Sequence, residues 1–142
     1  MNMKGFTLIE TMVAITIITL AIAGPLVTAN SAIVAARISR DQLTASYLAQ
    51  EGIEYVRAMR DDNYLAVYNT PNEGSAWSNF LSQLGTGTVS YPAPNLGSTP
   101  FTRTVQATMV TDKDEKVVST VSWSYHGTPY SVTISNHLTP WQ

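Results

Sequence analysis

The 142-residue chain contains no cysteine. Disulfide staples and thiolate metal sites are therefore excluded, and any folded body is held by packing and strand pairing alone. A basic surplus is missing too: eight Lys and Arg stand against ten Asp and Glu, for a net charge of −2. Phosphate backbones are bound by clustered basic side chains, so no direct nucleic-acid partner is expected. Charge is scarcest near the N-terminus. Lys4 and Glu10 are the only charged residues before Arg37, and no residue from Thr11 to Ala36 is Asp, Glu, Lys, Arg or His.

Signatures of chemistry are absent as well. Gly85-Thr86-Gly87 begins a dinucleotide-like pattern, but Ser90 stands where the third glycine belongs. There is no phosphate-loop sequence and no Gly-x-Ser-x-Gly elbow. His126 falls in an expected turn and His137 on the polar side of an expected strand, and neither has a nucleophile placed beside it. Asp112, Asp114 and Glu115 gather hard oxygen ligands, yet the glycine of a calcium loop is missing, and a solvated hairpin turn is the better reading. The expectation is a protein with no enzymatic activity, no cofactor and no metal.

What the chain does have is a long apolar start. Phe6 to Val27 is predominantly apolar. At about 1.5 Å per residue it is long enough, as a helix, to cross roughly 30 Å of hydrocarbon. An ordinary secretory signal peptide would also show a basic start, an apolar stretch and a small-residue site such as Ala21-Ile22-Ala23. Two features oppose that reading. The apolar character continues through Leu26, Val27, Ile33, Val34 and Ile38, and Glu10 lies inside the run. A carboxylate at membrane depth costs several kcal/mol or more on most scales, which makes it a functional hypothesis by default.

The stretch Lys4-Gly5-Phe6-Thr7-Leu8-Ile9-Glu10 resembles the processing site of type IV prepilins and pseudopilins. That pattern is a short basic leader, a Gly-Phe junction, Glu at the fifth mature position and an apolar helix. The resemblance covers residues 1 to about 60 well and the rest in general architecture. It implies cleavage between Gly5 and Phe6 by a prepilin peptidase, followed by N-methylation of Phe6. It also implies a single-pass precursor in the cytoplasmic membrane, an inner-membrane assembly platform, and a homo-oligomeric helical filament at the cell surface.

The residues support the same chemistry from below. Cleavage after Gly5 would leave a new amine on Phe6, four residues from Glu10 and on the same helical face. Among packed helices, the amine of a neighbouring subunit is the more useful partner. A buried carboxylate alone is strongly disfavoured and a paired one is tolerated, so assembly offers Glu10 an ion pair and fixes the register.

Helical spacing continues through Ile33 or Val34, Ile38, Leu43, Tyr47 or Leu48, Val56 and Met59. Arg37 with Asp41, Glu54 with Arg57, and Arg57 with Asp61 are spaced to support one another on an exposed face. Asp61-Asp62-Asn63 reads as the helix end. Gly24-Pro25 predicts a kink or local melting, because Pro25 removes a backbone donor and crowds the preceding turn. In pilins, a breaker within this stretch is associated with local unwinding in the filament. Tyr47 to Glu54 is similar to the matching segment of pilin-like subunits, and Gly52 within it predicts close contact with a sheet, since Gly otherwise costs a helix about 1 kcal/mol against Ala.

Beyond the helix, Trp77 to Leu84 predicts a short helix, while 85–88 and 91–97 read as loop. Three runs alternate with period two: Phe101 to Met109, Val117 to Tyr125, and Tyr130 to Leu138. The turns Asp112-Lys113-Asp114-Glu115 and His126-Gly127-Thr128-Pro129 suit antiparallel hairpins. Arg103 falls on the apolar face by parity. Snorkelling outward near the strand start is its simplest account, and an inward pairing with an acid of the helix is the alternative.

The expected fold is α+β, a long N-terminal helix packed on a small antiparallel sheet of three to four strands. Its expected organisation is a leader at 1–5, an apolar transmembrane and filament-core helix at 6–36, and a globular body at 37–142. The body divides into an amphipathic helix at 37–62, a connecting segment at 63–100 and the sheet at 101–142. The functional expectation is a structural subunit of a type IV pilus-like filament. The alternatives are a minor pilin or pseudopilin of a type II secretion or DNA-uptake system, and a secreted binding domain with an ordinary signal peptide.

Overall fold

A computed structural model describes residues 5, 7–85, 87–89 and 99–141. The chain divides into two compact units, Met1–Arg40 and Asp41–Gln142. Helix α1 (Leu8–Val67, 60 residues) supplies the regular structure of the first unit and the opening segment of the second.

Over residues 8–27 the helix is apolar on all sides, and as far as Arg40 it buries nothing of its own, with only Val34 and Ile38 partly covered. A helix hydrophobic all round belongs in a membrane or among other helices. Pro25 lies inside α1, and the helix runs through Gly24 and Pro25 without ending. Pro25 has no N–H to give the Ala21 carbonyl, so one rung of the ladder is missing while the helix continues. The local melting expected at this point is not present in α1.

The second unit is an α+β body. After α1 come a 3₁₀ turn (Glu73–Ser75) and α2 (Ala76–Leu84). Four strands follow: β1 (Gly87–Val89), β2 (Thr102–Thr111), β3 (Asp114–Tyr125) and β4 (Thr128–Leu138). They form one antiparallel sheet in the order β1-β2-β3-β4. The long strands arise where period two was legible. One face of β3 buries Val117, Ser119, Val121 and Trp123 while Ser122 and Ser124 face water.

The helix meets the sheet through Ala45, Ala49, Gly52, Ile53 and Val56, all buried. Phe80, Leu84, Val105, Val117 and Leu138 join Ile53 and Val56 in one cluster, and Val121 and Trp123 join Ala45 and Ala49 in another. Small residues let the helix backbone approach the sheet. Of the expected pair Tyr47 or Leu48, Leu48 packs against the second cluster, while Leu43 and Tyr47 are exposed. They are displaced because the small-residue stripe beside them makes the closer contact.

Three other expectations change. The helix does not stop at Asp61-Asp62-Asn63 but continues to Val67. Tertiary contacts carry it past those polar residues: Asn63 Nδ2 donates to Gln83 Oε1 (2.6 Å), and Tyr64 stacks on Trp141. The segment expected as a loop at 85–88 instead enters a strand at Gly87, whose three residues pair with Val105, Gln106 and Ala107. The expected loop at 91–97 lies outside the described residues. Both hairpin turns are tighter than expected, two residues each, so Asp114, Glu115, Thr128 and Pro129 belong to strands. Asn69 at φ 58° closes the chain reversal after α1, and His126 and Gly127 at φ 49° and 80° make a turn of the kind that matches strand twist.

Candidate functional site

Gly5 is exposed, while Phe6 lies outside the described residues. Glu10 sits in the first turn of α1, exposed. Its backbone N–H donates to the Thr7 carbonyl at 3.1 Å, and at a longer 3.4 Å to Thr7 Oγ1. Thr7-Leu8-Ile9-Glu10 is thus an N-terminal capping pattern, a hydroxyl residue followed three positions later by Glu. That spacing was present in the sequence and gives Glu10 a local structural reason to exist. It also aids Glu10 electrostatically, because the helix N-terminus favours negative charge.

The hydroxyls along this segment are satisfied within the helix. Thr11, Thr16, Thr19, Thr28 and Ser31 donate to carbonyls three or four residues back at 2.8 to 3.0 Å. Around them, eleven large apolar side chains from Leu8 to Val27 are exposed. At about 2 kcal/mol each, their removal from water is worth on the order of 20 kcal/mol. α1 is the one helix among the described residues long and apolar enough to cross a membrane. Apart from these internally bonded hydroxyls the surface over residues 8–27 is apolar, Glu10 is its one charged residue, and no described residue forms an ion pair with it.

The second unit holds a different set of polar contacts. Arg103 Nη1 donates to the Leu48 carbonyl (2.8 Å) and to Glu51 Oε2 (2.9 Å), with the arginine side chain only 1 % exposed. The snorkelling account is thus replaced by the inward one. Burial under the helix leaves the guanidinium no route to water, and the helix supplies a carbonyl and a carboxylate instead. Gly52 lies beside this contact. A Cβ there would meet Ser119 Oγ at 2.6 Å, and Arg103 Cδ and Val105 Cγ2 at 3.2 Å. The expected close approach of helix and sheet is present.

At the end of the sheet, Trp141 stacks on Tyr64 (5.5 Å between centroids), lies under Arg60 (5.4 Å) and donates to Asp61 Oδ1 (3.1 Å). Asp61 also pairs with Arg60 at 2.8 Å. A groove of about 120 Å³ opens beside them, walled by Tyr64, Glu73, Trp77 and Trp141. Sequence reasoning did not find this cluster, because its members lie some 80 positions apart. His137 Nδ1 lies 2.9 Å from Asp114 Oδ1. Glu115 is buried, and burial, with the neighbouring Asp114 charge second, raises its pKa above the usual carboxylate value. Among the described residues no three His, Cys, Asp or Glu side chains group to hold a metal.

Residues 1–24 match the family model described as the prokaryotic N-terminal methylation motif. The match takes in the Gly5-Phe6 junction, Glu10 and most of the apolar run. It supports a type IV pilin-like or pseudopilin-like prepilin, a class generally structural in role. The motif and the long apolar helix fit a membrane-anchored precursor that is processed by a prepilin peptidase. No curated protein and no solved structure matches the chain.

Proposed function

We propose that the chain is a structural subunit of an extracellular type IV pilus-like helical filament. The observation that carries this reading is the methylation motif joined to a helix whose apolar surface is interrupted by one carboxylate. A prepilin peptidase cuts after Gly5, and Phe6 becomes the methylated N-terminus. The apolar helix, residues 6–36, first holds the precursor in the cytoplasmic membrane and then packs against its neighbours in the filament core. The body at 37–142 is displayed outward. An inner-membrane assembly platform transfers the subunit from membrane to filament.

In this reading Glu10 pairs with the Phe6 amine of an adjacent subunit. Such a contact uses two different surfaces, so it repeats without closing and gives an open helix. Gly24 and Pro25 mark where the helix unwinds on assembly, Pro25 having already removed one hydrogen bond of the ladder. Adhesion, motility, secretion and DNA uptake are then matters for the displayed surface.

Replacing Glu10 tests the reading. Glu10→Ala leaves cleavage and membrane insertion at native levels and abolishes filament assembly. Normal filaments from that variant would contradict the role given to Glu10.

A further inference from the structure

Among the described residues strand β4 is an edge of the sheet, and its backbone polarity can be assigned. The two-residue turn at His126-Gly127 makes Tyr125 and Thr128 a hydrogen-bonded pair, and bonding alternates from there. Thr128, Tyr130, Val132, Ile134, Asn136 and Leu138 therefore bond to β3. Pro129, Ser131, Thr133, Ser135 and His137 turn their backbone groups away from it. Two observations support this parity. Pro129, which has no N–H, stands at an outward position, and the His137 N–H is taken by the Asn136 side chain at 2.9 Å. The N–H groups of Ser131, Thr133 and Ser135, and the carbonyls beside them, form a row beyond which the sheet has no further strand among the described residues.

Soluble proteins blunt such edges with charged side chains, proline, bulges or short strands, and of these β4 carries only Pro129, at its start. β4 has eleven residues, contains no Asp, Glu, Lys or Arg, and pairs with β3 without a register shift. Its core-side residues Tyr130, Val132 and Ile134 are only partly covered. An antiparallel strand laid along this edge would complete both the hydrogen bonds and the apolar cover.

The strand is also complementary to itself. Rotated onto a second β4 about Thr133, it sets Thr133 against Thr133, Ser131 against Ser135 and Pro129 against His137 on the outer face. On the core side Val132 meets Ile134. No like charges oppose, and β-branched and hydroxyl pairs are the favourable cross-strand combinations. The outer face continues the pattern already present. Thr104, Thr120 and Thr133 lie in one row across β2, β3 and β4, with the Thr120 and Thr133 hydroxyls 3.1 Å apart. A second copy extends that row to six threonines across paired sheets.

We infer that the β4 edge is a docking surface for a second copy of this chain, joined antiparallel about Thr133. The contact is isologous and closes on itself, so it joins two copies and does not propagate a filament. It stands independently of the filament reading.

The absence of native cysteine makes the test direct. Single-cysteine variants of the full chain in detergent are oxidised, and dimers are counted on non-reducing gels. Paired Thr133 positions lie about 5.5 Å apart between Cα atoms, within disulfide reach, whereas Ser131 lies about 14 Å from its own copy. Thr133→Cys is expected to yield about tenfold more dimer than Ser131→Cys alone. Mixing Ser131→Cys with Ser135→Cys is expected to restore linkage, as the hetero pair. Equal dimer from Thr133→Cys and Ser131→Cys, or no gain on mixing, would overturn the inference. So would Thr133→Cys linking to a different protein in place of its own copy.

Discussion

Arg103 of β2 and Glu51 of α1 form the ion pair that fastens sheet to helix, 2.9 Å apart. The two partners are unequal: the arginine side chain is 1 % exposed and the glutamate 53 %. The Leu48 carbonyl takes a second bond from the same nitrogen.

That inequality predicts an order of effects. Glu51→Ala leaves the buried guanidinium without its carboxylate and costs about 2 kcal/mol, below the 3–5 kcal/mol typical of fully buried pairs because Glu51 is half in water. Arg103→Met removes the buried charge, keeps most of the volume and costs less than Glu51→Ala. Denaturant unfolding of the two variants measures both. A larger loss for Arg103→Met would show that the bond to Leu48, and not the charge pair, dominates.

Gly52 marks where the helix backbone comes closest to the sheet. Ala would gain about 1 kcal/mol of helix propensity. It would also place a methyl 2.6 Å from Ser119 Oγ, and overpacking of this kind costs about 1–3 kcal/mol. Gly52→Ala is therefore destabilising on balance. Ser119→Ala removes the nearest obstacle and a buried hydroxyl with no hydrogen-bond partner among the described residues, and it rescues part of the loss. Thermal unfolding of the two single variants and the double variant checks the coupling.

Glu115 predicts a pH dependence. Burial, with Asp114 second, raises its folded pKa above the unfolded 4.5. Between those two values the folded state holds the extra proton, so stability falls as pH rises through the window. Glu115→Gln removes the cost of the buried charge. The variant is expected to be more stable than the native chain at pH 7, with the difference shrinking as pH falls toward 4.5. A difference that grows on acidification would reverse the sign of the account.

The sequence made the N-terminal features legible because they are local. Gly5, Phe6 and Glu10 lie within six positions, and the apolar run needs only composition. The three long strands were legible because each carries its own alternation. What was not legible depends on distant partners. Arg103 had the right parity, but its acid lies 52 positions away. Asp61 and Asn63 look like a helix end until Trp141 and Gln83 take their side chains. Gly87 to Val89 has too few residues to show a period, and only pairing with β2 makes it a strand.

The capping pattern at Thr7 sharpens the central question, since a helix cap alone would account for an acid at Glu10 without any filament. The mature N-terminus decides between them. Mass spectrometry of the chain isolated from its native membrane is expected to show an N-terminus at Phe6 carrying one added methyl group. A chain beginning at Gly24 would contradict the account.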